Sequence, residues 1–312
     1  MRIPEISSKF ILICTITALL VITALFSGCT GSSAQSEFSA PTFIPVATAA
    51  PVMQDETPAT GQATTSTPAP VYTYSEGNVI AYTAASLTGV TPKLKEGFEA
   101  MYPGNKVTFN LAGTQAIKTQ IQNGAYADVF ISASPKYTTE LTNGGFFEDG
   151  TVETLTTNYV IVILPADNPA GIKSLTDLAE PGVKIARAAK TVPIGIATDG
   201  ALVKLAASTY GQEWKNSVYE NTVTFETSEP AVATKVALSE VDAGFVYEST
   251  ATAAKPGTYS TITIPKSDNY LQTYSIAVLK ESTSKGVAEN FENFMLSNAG
   301  QQILSDYGFR SP

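Results

Sequence analysis

Downstream of residue 77 the chain alternates two patterns of apolar and polar positions. Short apolar or apolar-alternating segments predict strands at 79–82, 107–111, 128–132 and 159–164, and again at 183–186, 223–226, 243–247, 261–265 and 274–279. Between them, three- and four-residue spacing predicts helices from 84–88 to about Met101, at 114–123, from Ser134-Pro135 onward, and at 174–178, 199–209, 230–239 and 286–306. Ala116, Ile117 and Ile121 mark one inward face, and Val232, Val236 and Ala237 another. Gly211 interrupts the 199–209 helix before Trp214. Strands and helices alternating at this spacing predict an α/β protein with parallel-rich sheets covered on both faces. The length favours two sheets with a cleft over one, with binding at strand C-terminal ends, where helices begin.

The first 76 residues follow neither pattern. Arg2 and Lys9 precede an apolar run from Phe10 to Phe26, broken only by Cys14, Thr15, Thr17 and Thr23. The run is short for a membrane span and suits a signal segment. Leu25-Phe26-Ser27-Gly28-Cys29 resembles a lipoprotein signal in which Cys29 becomes a lipidated N-terminus; the alternative is an uncleaved anchor. Either places the bulk of the protein on the extracytoplasmic face of the membrane. Residues 30–76 are rich in Ser, Thr, Pro and Ala and, from residue 31, lack Lys and Arg, a composition that buries too little surface to fold. They read as an extended stalk whose hydroxyls could accept O-linked sugar, with a small apolar patch at Phe43, Ile44 and Val46 that has no evident partner.

Composition narrows the chemistry by exclusion. Across 312 residues, 28 acidic groups outweigh 19 basic ones, so the clustered positive charge of a nucleic-acid binder is missing. The chain has no histidine, which removes histidine bases, Ser-His-Asp and Cys-His systems and every histidine metal site. Cys14 and Cys29 both precede the predicted fold, leaving it no disulfide or thiolate cluster. No base–nucleophile pair stands out, and the expected protein is a binder, not an enzyme. Lys118 and Lys136 read as solvated helix positions, and Asp128 as a structural acid bonding turn N–H groups at the foot of its strand.

Three segments share one construction, in which a strand stops, a Ser or Thr follows and a helix starts: 84–87, 112–115 and 191–195. First helical turns carry unpaired N–H groups and partial positive charge, so two or three converging on a point form an oxyanion site without Arg or Lys. Ordinary helix capping by Ser and Thr accounts for any one of these segments taken alone.

In order along the chain, Thr83-Ala-Ala-Ser-Leu-Thr88, Leu111-Ala-Gly-Thr-Gln115, Gln120-Ile-Gln-Asn-Gly-Ala125, Ala127-Asp-Val-Phe-Ile-Ser-Ala133, Asn158, Thr191-Val-Pro-Ile-Gly195, Asp242-Ala-Gly-Phe-Val-Tyr247 and Gly308-Phe309 resemble the molybdate-binding protein family of ABC importers. The resemblance implies a two-lobed type II periplasmic-binding-protein fold with a ligand cleft between lobes, the first lobe at 77–158 and 248–312 and the second at 159–247. Hinge crossings would fall near Asn158 and Glu248. It further implies a monomer that binds molybdate or tungstate as ligand, uses no cofactor, and passes the ion to an ABC permease. By position, the family's ligand contacts fall on Ser86, Thr114, Ile194, Glu229 and Tyr247. Ser86 and Thr114 would offer hydroxyl and backbone donors, Ile194 its N–H, and Tyr247 its phenol.

Glu229 departs from the commoner pattern, because a carboxylate facing a dianion repels it unless protonated, turned away or bound to the metal centre. The resemblance allows Glu229 as a ligand to molybdenum or tungsten; the plain alternative is that Ser228-Glu229-Pro230 starts a helix. Glu226 and Glu248 are further acids within reach of the expected cleft. Sulfate as the ligand, and a surface sensor or adhesion module on the same fold, are the competing functions.

Overall fold

The computed structural model describes residues 76–312; the signal segment, Cys29, the stalk to residue 75 and the patch at Phe43, Ile44 and Val46 lie outside the described residues. Strand β1 (Gly77–Ala84) runs parallel between β2 (Asn105–Ala112) and β3 (Val129–Ser132). Helices α1 (Thr91–Met101), α2 (Thr114–Gln122) and α3 (Pro135–Asn143) connect and follow these strands. Leu94 and Phe98 of α1 lie one turn apart and are fully buried, which explains why this stretch folds as a helix laid on the sheet. Pro135 occupies the first turn of α3, where its missing N–H costs nothing.

Strand β4 (Glu153–Pro165) is 13 residues long and serves two sheets in turn. From Glu153 to Tyr159 it pairs antiparallel with β9 (Leu271–Val278); from Val160 to Ile163 it pairs antiparallel with β7 (Ala243–Tyr247), and from Ile161 to Pro165 with β8 (Tyr259–Thr263). Beyond β7, β5 (Ile185–Ala188) and β6 (Thr222–Glu226) continue in parallel. The path β2-β1-β3-β9-β4-β7-β5-β6 is therefore continuous. The second half-sheet carries α4 (Pro193–Leu205), α5 (Gly211–Glu220) and α6 (Glu229–Ala237), with α7 (Glu248–Ala253) following β7. Helices α8 (Lys285–Leu296) and α9 (Asn298–Asp306) close the chain, and both contact α1.

Several expectations are corrected. The sheets are mixed and not parallel-rich: β9 runs opposite to its neighbour β3, and β4 runs opposite to each of its partners β7, β8 and β9. The chain does not rejoin the first half-sheet at Glu248. Residues 259–263 first pair with the second half of β4, and the return comes with β9. The helix expected at 199–209 begins at Pro193 and opens into a wider turn over Ala206–Tyr210 before Gly211, at φ 82°, starts α5. On α6 the inward residues are Val232, Ala233 and Val236, whereas Ala237 is exposed.

Strand β5 extends two residues past the predicted 183–186 and carries Arg187, 1% exposed. Its guanidinium pairs with Asp199 of α4 and lies 4.3 Å over the Tyr219 ring, and Tyr219 also donates to Asp199 at 2.8 Å. A charge this deeply buried persists only because it is paired.

Candidate functional site

Four connections run from a strand end into a helical turn at one place in the fold. Strand β1 enters a 3₁₀ turn at Ala85–Leu87, β2 enters α2, β5 enters α4 and β6 enters α6. The residues before these turns are Ala84, Gly113, Val192 and Ser228, and none makes a side-chain capping bond. Ser86 and Thr114 sit inside the first turns instead of in the capping position, so ordinary capping does not account for them. The first-turn N–H groups thus remain available to a ligand. Gly195 lets α4 start this close to β5: a Cβ there would fall on the Ala189 carbonyl oxygen and 2.7 Å from that of Ala188.

All five expected residues, Ser86, Thr114, Ile194, Glu229 and Tyr247, line a single cavity of about 10 Å³, the scale of one water molecule. A tetrahedral oxyanion is larger, so its entry requires the walls to part. No Lys or Arg lines the cavity. Thr114, Ile194 and Tyr247 are each 1% exposed.

The hydroxyls have defined partners. Thr114 Oγ1 accepts from the Ala133 N–H at 3.2 Å, and Ser86 Oγ accepts from the Tyr274 hydroxyl at 3.0 Å. Ala133 and Tyr274 were not singled out by the sequence, where an alanine N–H and the first aromatic of a strand carry no distinguishing mark. The Tyr247 phenol donates to Gln272 Oε1 at 3.3 Å, so it is engaged within the protein and not free at the cavity wall.

Glu229 is the first residue of α6, as the helix-start reading has it, and it also lines the cavity. Its Oε1 accepts from the Tyr247 N–H and the Thr250 hydroxyl, each at 2.6 Å. Its Oε2 is buried without a partner. Burial pushes the carboxyl up to about 7 against the two hydrogen bonds, which favour the ionised form. Among the described residues no group of three or more His, Cys, Asp or Glu is placed to hold a metal ion. A lone Glu229 could complete the shell of an oxyanion's metal but could not retain a bare cation.

Neither alternative acid reaches the cavity: Glu226 is bonded to Thr224 at 2.7 Å and Glu248 to Arg310 at 2.7 Å. Lys118 is not a solvated position, since it pairs with Glu140 at 2.6 Å with 18% of its side chain exposed, whereas Lys136 is exposed. Asp128 is structural, accepting from the Ile80 N–H of β1 at 2.7 Å and the Ser282 hydroxyl at 2.7 Å. Two hydrogen bonds span the cleft beside the cavity, one from Gln115 Nε2 to the Thr227 carbonyl at 2.9 Å and one from the Tyr137 hydroxyl to the Thr191 carbonyl.

The model of the family described as bacterial extracellular solute-binding protein matches residues 79–310. The molybdate-binding protein ModA of Mycobacterium tuberculosis is 31% identical over 235 residues, covering 75% of this chain and 85% of that protein. ModA of Escherichia coli is 28% identical over 240 residues, covering 75% and 89%. Among solved structures, the periplasmic molybdate-binding protein of Azotobacter vinelandii has a TM-score of 0.65 at 25% identity, covering 75% of this chain and 99% of that one. The sulfate-binding protein SubI of Mycobacterium tuberculosis has a TM-score of 0.66 at 18% identity, covering 75% and 86%, a likeness of fold alone.

Proposed function

Since the chain belongs to the bacterial extracellular solute-binding protein family, we propose that it captures molybdate or tungstate outside the cytoplasmic membrane and delivers it to an ABC permease. The observation that carries this reading is the convergence of uncapped helix starts on one buried cavity without a cationic side chain. Backbone N–H groups and hydroxyls stabilise a fully ionised tetrahedral anion while their fixed positions set its size. In this reading Ser86 and Thr114 donate through hydroxyl and backbone, and Ile194 through its N–H. Tyr247 forms the opposite wall, and Glu229 stands at the remaining face, where its unpartnered Oε2 completes coordination around the metal centre. The protein acts as a monomer, held at the membrane through Cys29 or an uncleaved N-terminal segment.

Two relatives named as molybdate-binding proteins support the ligand class. Calorimetric titration with molybdate, tungstate and sulfate at one salt concentration tests it. The expected result is sub-micromolar binding of the first two and weak binding of sulfate. Preference for sulfate reverses the ligand assignment. No heat with any of the three, together with an unchanged melting temperature, removes oxyanion capture altogether.

A further inference from the structure

Every hydroxyl donor needs a reason to point its hydrogen at the ligand. A serine Oγ carries one hydrogen and two lone pairs, and the hydrogen rotates to whichever acceptor is nearest. At Ser86 that freedom is restricted. The Tyr274 hydroxyl donates into Ser86 Oγ at 3.0 Å, and Ser86 makes no other hydrogen bond among the described residues. Tyr274 is fully buried, with its ring edge-on to Tyr247 at 5.9 Å and to Phe309 at 5.5 Å, so the phenol cannot swing away.

Resting on the oxyanion-capture reading above, we propose that Tyr274 is a positioning residue: by occupying one lone pair of Ser86 Oγ it biases the Ser86 hydroxyl to give its hydrogen to the bound oxyanion. The series Tyr274 hydroxyl, Ser86 hydroxyl and ligand oxygen then runs in one donor direction, and each bond polarises the next. Burial holds the Tyr274 phenol well above its ordinary pKa, so it stays protonated as a donor across the working pH range. The same logic recurs at Thr114, where the Ala133 N–H occupies the Oγ1 lone pair at 3.2 Å. Each hydroxyl thereby has one acceptor position already occupied within the protein, which favours giving its hydrogen to the ligand. The ligand class that fits such a pair is a tetrahedral dianion that presents acceptor oxygens to both hydroxyls.

A double-mutant cycle of Tyr274→Phe and Ser86→Ala, read as tungstate affinity by calorimetry, separates positioning from mere packing. Phenylalanine keeps the ring contacts and removes only the hydroxyl. Alone, Tyr274→Phe is expected to weaken binding about three- to tenfold, with the melting temperature of the ligand-free protein nearly unchanged. In the Ser86→Ala background the same change should cost almost nothing, because the group it acts through is gone. Equal losses in both backgrounds would show that Tyr274 acts independently of Ser86 and overturn the proposal, as would unchanged affinity in the single variant. Failure of the wild-type protein to bind molybdate, tungstate or sulfate would instead remove the oxyanion reading on which the proposal rests.

Discussion

Glu229 answers to two environments at once. One oxygen is fixed by the Tyr247 N–H and the Thr250 hydroxyl, while the other is buried without a partner against the cavity. Burial lifts its carboxyl from 4.5 to about 7, so the folded protein keeps a proton that the unfolded chain releases earlier. Between those values the folded state binds more protons than the unfolded one. The contribution of Glu229 to stability therefore falls as pH rises through that window, by about 3 kcal/mol in all, and is level below and above it. Glu229→Gln removes the titration. The expected outcome is a stability difference between wild type and variant, read by urea unfolding, that drifts in the variant's favour from pH 4.5 to 7 and then holds steady. A difference that stays constant across this range would show the carboxyl to be unperturbed.

At the scale of the elements, the start of α4 is the most demanding junction in the site. Gly195 packs against the carbonyl oxygens of Ala188 and Ala189, which are backbone atoms and cannot rotate aside. Gly195→Ala must push the helix away from β5, and the Ile194 N–H moves with it. The expected cost is about 1–3 kcal/mol of stability together with weakened oxyanion binding, measured by thermal unfolding and titration of one preparation. Loss of stability with intact affinity would place the Ile194 N–H outside the ligand's reach.

This junction also shows where the sequence is legible and where it is not. The segments predicted at 128–132, 223–226 and 243–247 stand out because each is short, β-prone and bounded by polar residues, and they contain β3, most of β6 and β7. The first half of β4 escapes the same criterion. Thr156, Thr157 and Asn158 are buried polar residues, satisfied by contacts such as Thr156 to the Arg310 carbonyl and Asn158 to Ser249, which no periodicity reveals. The gathering of five named residues at one cavity follows from an ordered series of short motifs, each weak by itself. Tyr274, Ala133 and Gln272 stayed hidden because their parts are played through long-range hydrogen bonds to other site residues.

For the molecule as a whole, the described arrangement is bridged across the cleft by Gln115 to Thr227 and Tyr137 to Thr191. These bonds favour the closed form whether or not ligand contributes. Replacing both donors, in a Gln115→Ala, Tyr137→Phe variant, should shift the population toward open and lower apparent affinity about tenfold. Small-angle scattering of the ligand-free variant should show a larger radius of gyration than wild type, with the gap narrowing on saturation; identical radii throughout would show that these bonds do not set the opening equilibrium. Strand β4 limits what opening can be. Because one uninterrupted strand hydrogen-bonds to β9 along its first half and to β7 and β8 along its second, neither half-sheet is a finished unit. A cut between Asn158 and Tyr159 would leave two fragments, each with a bare β-edge prone to sticking to its own kind. Such a protein is inherited whole: because β4 belongs to both half-sheets, one half cannot be swapped for another as a building block.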